Sequence, residues 1–383
     1  MGPMNRRAFL NGVATGVLAG WHLNVDADVA ADSGWAAHSK NLEAQIPDLM
    51  RATNVPGLSL AVFRRGRIVW LRGFGVRDRA SGVPVDTGTL FEAASMSKAL
   101  FAYVVLKLCE KGILGLDIPL THYTQRRLLD DPRLELITAR HILSHSSGLV
   151  PDWRSADRPL KIAFTPGEKW SYSGEGYWYL QSIVTELTGR TDPNQCDTFE
   201  AGLKVCATDF GEYMESRLVV PFGMRSSGYV PKKWFDSHRA LPHDVKGNPL
   251  PHRPNRSIDR ARYGAAGGLL TTPRDYAKFM MEVIDPKPQD AFHLGASSLK
   301  EMMTGQVEVL RAGDDIVSWG LGWRIARTPR AVYFGHGGEN PGFQCISEAC
   351  AADRSGFVLM TNGENGSKLL EKLAPEISKR VHS

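Results

Sequence analysis

This chain of 383 residues has no apolar run long enough for a membrane-spanning helix. Nor does it carry a basic stripe with interleaved aromatics. Its 46 Lys and Arg against 41 Asp and Glu are scattered and leave a net charge of only +5, which argues against nucleic acid as a partner. Neither H-E-x-x-H nor paired C-x-x-C occurs, so no metal or other cofactor is expected. The G-x-S-x-G elbow of many Ser-His-Asp hydrolases is missing as well. No internal repeat or low-complexity linker divides the chain. What remains is an ordinary globular composition, 43% apolar and 23% charged, long enough to bury a large core in one domain or two.

Cysteine is scarce too, and its count of five is odd. Cys109 falls on the apolar face of a predicted helix and reads as core. Cys196 and Cys206 bracket a short polar insertion, while Cys345 and Cys350 flank a predicted strand. Each pair fits a disulfide in an oxidising compartment, or else buried free thiols, and spacing alone does not decide. The N-terminus speaks to compartment. Asn5-Arg6-Arg7-Ala8-Phe9-Leu10 is a twin-arginine pattern, a Gly/Ala-rich stretch runs on to Leu23, and the small-residue site Val29-Ala30-Ala31 follows. Residues 1–31 are therefore expected to be an export leader and the mature chain periplasmic or secreted.

Residues 36–53 have amphipathic helical periodicity that stops before Val55-Pro56-Gly57. Two β-prone runs, Leu58–Phe63 and Ile68–Val76, flank a turn centred on Gly66, which is a hairpin signal. A helix is predicted from Ser95 to Glu110 and another over 176–187. Helical periodicity and long loops rich in Pro, Gly and aromatics continue to about residue 300. Strands return at Ala331–Phe334, Phe343–Ser347 and Gly356–Thr361, before a closing helix from Ser367. Strands at both ends predict an α+β fold, with one antiparallel sheet assembled from residues 36–94 and 301–383. Helices flank the sheet, and a mainly helical region, 95–300, is inserted.

Ser95-Met96-Ser97-Lys98 puts a hydroxyl and an amine three residues apart on one helix face. A serine is a poor nucleophile until a base takes its proton, and a lysine can do so once its pKa is lowered. Desolvation and a helix N-terminus both lower it. The pattern is weak alone. About one such match is expected by chance at this length, and Ser297-Ser298-Leu299-Lys300 also fits while reading as surface helix.

Two further clusters add weight. Phe164–Gly174 holds a Pro166-Gly167 turn and Tyr172, a phenol that beside a Ser–Lys pair can act as base or proton shuttle. Gly335-His336-Gly337-Gly338-Glu339 closes a strand. Its glycines let a substrate lie along the edge, its N–H groups could hold an oxyanion, and His336 is expected to titrate near neutrality. Trp153, Trp170, Tyr177, Trp178, Tyr263 and Trp319 lie in segments that should wall the cleft, where they suit apolar acyl groups or serve as core.

In this order the three clusters resemble the S-x-x-K, Y-x-N and K/H-x-G motifs of the serine β-lactamase and penicillin-recognising hydrolase superfamily. The similarity is greatest to the branch of class C β-lactamases, D-Ala-D-Ala carboxypeptidases, D-aminopeptidases and β-lactamase-like carboxylesterases. Val55-Pro56-Gly57, His145-Ser146-Ser147-Gly148-Leu149, Ala266-Gly267-Gly268-Leu269-Leu270 and Gly320-Leu321-Gly322-Trp323 also look like family segments, and the likeness covers about residues 42–375. The resemblance implies a β-lactamase/transpeptidase-like fold, with the sheet and helical regions forming one catalytic unit. It implies Ser95 as acylated nucleophile and Lys98 and Tyr172 as sharers of base and acid duties. The N–H groups of Ser95 and Glu339 would form an oxyanion hole, with His336 and Gly338 lining the substrate strand. The implied partner is a small-molecule ester, lactam or amide, hydrolysed through an acyl-enzyme.

The sequence departs from the pattern at Gly174, where the family has asparagine. That amide contacts the lysine and the amide of acylamino substrates, so its loss favours esters over lactams and peptides. Glu339 either attracts an amine-bearing substrate or faces solvent. A non-catalytic sensor with this fold would be free to lose Ser95, Lys98 or Tyr172, and all three are present.

Overall fold

Asp32 starts the first helix, its carboxylate accepting the Trp35 N–H, so α1 runs Ser33–Thr53, three residues earlier than periodicity predicts. In the computed structural model of the protein the described residues are 29–125, 127–150, 160–188, 209–230, 232–251, 264–286 and 292–382. The twin-arginine segment, Trp153, Cys196, Cys206 and Tyr263 lie outside them. Among the described residues no helix is long and apolar enough to cross a membrane.

The predicted hairpin is β1 (Gly57–Arg64) and β2 (Arg67–Gly75). A two-residue strand, β3 (Phe91–Glu92), pairs with β4 (Leu270–Thr271). The C-terminal part supplies β5 (Val307–Ala312), β6 (Asp315–Trp319), β7 (Arg324–Arg327), β8 (Val332–Asn340), β9 (Phe343–Cys350) and β10 (Ser355–Thr361). Their sheet has eight strands in the order β2-β1-β10-β9-β8-β7-β6-β5, with antiparallel neighbours. The two ends of the chain meet where β1 pairs with β10, Leu58 opposite Thr361. Strands β5 to β7 escape sequence reading. Glu308, Arg311 and Asp315 interrupt any apolar pattern in the exposed β5–β6 hairpin, and β7 has four residues with arginine at each end.

The centre of the sheet, at β1 and β10, is buried on both faces, and β1 shows why. Ala61 and Phe63 face a core shared with the helical region, while Leu60 and Val62 face a second core under α1 and the closing helix. From α1, Trp35, Leu42, Ile46 and Met50 enter that second core, each contributing about 2 kcal/mol by burial. The helices of the other layer are α2 (Ser97–Glu110), α3 (Ala139–Leu143), α4 (Gly174–Leu187), α5 (Lys233–His238), α6 (Gly264–Gly267), α7 (Pro273–Ile284) and α8 (Ala296–Met302). The closing helix, α9, is Gly366–Val381. The second S-x-x-K match lies on α8 with Ser297 and Lys300 exposed, as expected of surface helix.

Cys345 and Cys350 are free, buried thiols. Both lie on β9, five residues or about 16 Å apart and on opposite faces. A disulfide between them is out of reach.

Candidate active site

From Thr89 to Leu106 every residue is buried except Ser95. Local geometry makes that exception. The Ala93 N–H donates to Leu269 O at 2.9 Å, tying the chain to the β3–β4 ladder. Ala94 then takes a left-handed φ of 46°, and residues 94–96 form a 3₁₀ turn that leads into α2. Ser95 therefore sits on the turn before the helix, not in its first α-helical turn as predicted. Ser97 staples this turn: its hydroxyl donates to Ala94 O at 2.7 Å and accepts the Leu269 N–H at 3.1 Å. The Tyr276 hydroxyl donates to Met96 O at 3.0 Å.

Lys98 is 2% exposed, and its Nζ donates to Ser95 Oγ at 3.0 Å and to Ala266 O at 2.6 Å. It lies 5.0 Å from the Tyr172 ring centre and 5.4 Å from that of Tyr177. Burial lowers its pKa to about 7, against the opposing pull of the Glu175 carboxylate. Glu175 is itself buried, next to Gly174 at the start of α4. Nothing in the sequence marks it, because only the fold brings it near Lys98.

Burial pushes the Tyr172 phenol well above its usual pKa; the Ser95 hydroxyl works weakly against that. The Tyr172 hydroxyl is enclosed and lacks a hydrogen-bond partner within ordinary limits. His336 departs from expectation. Its Nδ1–H donates to Gly337 O, leaving Nε2 as an unpartnered lone pair. Burial, then the neighbouring Lys98, drives its pKa to about 3. The imidazole stays neutral across the working range and does not titrate near pH 7.

Strand β7 pairs with β8 only from Val332 to Gly335. Beyond that point β8 has β9 on one side and the cleft on the other. Asn340 and Phe343 close a two-residue turn through Pro341 and Gly342, the latter at φ 79°. Ladder alternation from that closing pair turns the N–H groups of Glu339 and Gly337 toward the open edge. Asn340 Nδ2 donates to Glu92 Oε2 at 2.7 Å and fixes the edge to β3. The Glu339 side chain is exposed. A cavity of about 850 Å³ is lined by Ser95, Tyr172, Trp319, His336, Gly338 and Glu339 and extends to Ile346, Leu370 and Ala374 on β9 and α9.

The predicted aromatic wall is only partly realised. Trp319 lines the cavity, with Trp170 packed on it at 5.8 Å. Tyr177 is core: fully buried, its hydroxyl donating to Leu143 O at 3.0 Å. Trp178, on α4, and Gly174 do not line the cavity. His145, in a family-like segment with no role implied by the resemblance, stacks on Tyr172 with ring centres 4.0 Å apart.

The family model for Beta-lactamase matches residues 42–381. Esterase EstB of Burkholderia gladioli is 28% identical, covering 66% of this chain and 71% of its own length. Penicillin-binding protein 4 of Amycolatopsis lactamdurans is 26% identical over 85% of each. Among solved structures, a Beta-Lactamase/D-Alanine Carboxypeptidase from Pseudomonas syringae superposes with TM-score 0.72 at 21% identity. That likeness covers 90% of this chain and 99% of the other, and it speaks to fold alone.

Proposed function

Because the chain belongs to the beta-lactamase family, a family of serine hydrolases, we propose that it hydrolyses small carboxylic esters through an acyl-enzyme on Ser95. The observation that carries this reading is the buried Lys98 amine, 3.0 Å from Ser95 Oγ and brought to a pKa of about 7. Such an amine is neutral in part at physiological pH and can take the hydroxyl proton as Ser95 attacks the carbonyl. The oxyanion is received by the N–H groups of Ser95 and Glu339. Collapse expels the alcohol, which takes a proton through Tyr172, whose high pKa keeps it a phenol. Water then attacks the acyl-enzyme by the same route and releases the acid.

Two features favour esters over lactams and D-peptides. Gly174 offers no amide to an acylamino substrate. At the strand position where the family motif allows lysine or histidine, the neutral His336 offers no charge to a substrate carboxylate. The 28% identical esterase agrees with this preference. The competing reading, a lactam or D-amino-acid amide hydrolase, draws on the longer alignment with a penicillin-binding protein. An activity outside the cytoplasm is part of this proposal, and the twin-arginine pattern supports it.

Turnover of a chromogenic short-chain ester and a chromogenic cephalosporin, each corrected with Ser95→Ala, tests the reading. Ester kcat/KM is expected to exceed cephalosporin kcat/KM by about 100-fold or more. Comparable cephalosporin cleavage would transfer the assignment to the lactam reading. No turnover, together with no fluorophosphonate labelling at Ser95, would make the protein a binding module. Gly174→Asn is expected to raise the cephalosporin-to-ester ratio about tenfold; an unchanged ratio would remove Gly174 as the cause of the preference.

A further inference from the structure

One residue holds Tyr172 from three directions. His145 O accepts the Ser171 N–H at 2.7 Å, and His145 Nδ1 accepts the Ser173 N–H at 3.1 Å. Between these two bonds the imidazole stacks on the Tyr172 ring, at 4.0 Å between centres and 30° between planes. Both peptide neighbours of Tyr172 and its ring are thus clamped by one residue from an earlier segment, 28 positions before Ser173. Trp319 closes the other side, its ring centre 5.0 Å from His145 and 5.7 Å from Tyr172.

The clamp is held against a local cost. His145 is fully buried and adopts a left-handed φ of 56°, a region that few non-glycine residues occupy, although asparagine, aspartate and histidine enter it more often than the rest. Its backbone N–H donates to Ile142 O, and the following Ser146 N–H donates to His141 O, so the end of α3 enforces the conformation. Because Nδ1 accepts, the ring proton resides on Nε2, which has no partner. Protonating Nδ1 would set two N–H groups against each other. Burial and the nearby Lys98 disfavour the cation in the same direction.

We infer that His145 is a positioning residue that sets the Tyr172 phenol against Ser95 and Lys98. The inference rests on the serine-hydrolase reading above. Its requirements are an acceptor at the Nδ1 position and tolerance of a left-handed backbone. Asparagine offers both. Glycine tolerates the backbone but has neither ring nor acceptor.

The experiment measures kcat, KM and pH profile on a short-chain nitrophenyl ester, with thermal melting, for wild type, His145→Gly and His145→Asn. Ser95-dependent turnover by the wild type is checked first; its absence would end the hydrolase reading before this one is reached. His145→Gly is expected to lose about 30-fold in kcat with KM within about twofold. The pH midpoint assigned to Lys98 should stay where it is, because Lys98 is held by Ser95 and Ala266. His145→Asn should recover kcat to within about threefold of wild type. A merely structural role would lower melting temperature and leave kcat of the folded fraction intact. Wild-type kcat in His145→Gly would overturn the inference. So would a stably folded His145→Asn that falls about 30-fold, and that arm decides even if the glycine variant does not fold.

Discussion

Replacing Lys98 with methionine is expected to lower kcat/KM for a short-chain nitrophenyl ester by about a thousandfold, while the protein stays folded. Methionine nearly matches the lysine stem in length and suits a pocket that is already almost closed to solvent. The structural loss is the bond to Ala266 O, a cost of about 1–3 kcal/mol for a stranded carbonyl. Removing an amine that burial already disfavours offsets part of it. The chemical loss is larger. Tyr172 cannot substitute as the base, because its phenol is pushed up and not down, and His336, with a pKa near 3, is too weak. Wild-type kcat/KM should rise with pH through a midpoint near 7, since attack needs the neutral amine and Lys98 carries its proton below that pH. The rise should vanish from whatever activity Lys98→Met retains. A residual activity still climbing through pH 7 would show that another group titrates there, and Lys98 would lose its role as base.

The parts of this site that were legible in the sequence are those held together by short range. Ser95 and Lys98 are three residues apart, so any helical turn joins them, and the structure does so with a 3₁₀ turn. The glycines of Gly335-His336-Gly337-Gly338 mark a strand edge without help from the rest of the fold. What stayed hidden depends on distant segments meeting. Nothing near His145 announces that Tyr172 will stack on it, and of the aromatics expected to wall the cleft only Trp319, among the described residues, lines the cavity. The neutrality of His336 comes from burial and from Lys98 in another element, so the free-histidine value misled. The Cys345–Cys350 spacing suggested a link only until one strand was seen to carry both.

A close approach between the strand edge and the Ser95 segment predicts a sensitive glycine. A Cβ added to Gly338 would stand 2.4 Å from Ala93 O and 2.5 Å from Cys345 Sγ. Ala93 belongs to the segment that delivers Ser95, so the clash cannot be relieved by rotating a side chain. Either β8 moves away or the Ser95 turn does, and both open the distance between Ser95 and the Glu339 N–H. Gly338→Ala is expected to lose about 100-fold in kcat/KM, since misplacement by about 1 Å costs that much, and about 1–3 kcal/mol of stability from overpacking. The neighbouring Gly337→Ala serves as control. Its new Cβ would find nothing nearer than Cys345 O at 3.7 Å, so melting temperature should stay close to wild type and the rate should fall far less than in Gly338→Ala. Cys345→Ala removes one of the two obstacles and should restore Gly338→Ala only in part, because the Ala93 carbonyl remains. Full rescue would mean that the sulfur alone sets the spacing, and a harmless Gly338→Ala would mean that the strand edge is not pressed against the nucleophile turn at all.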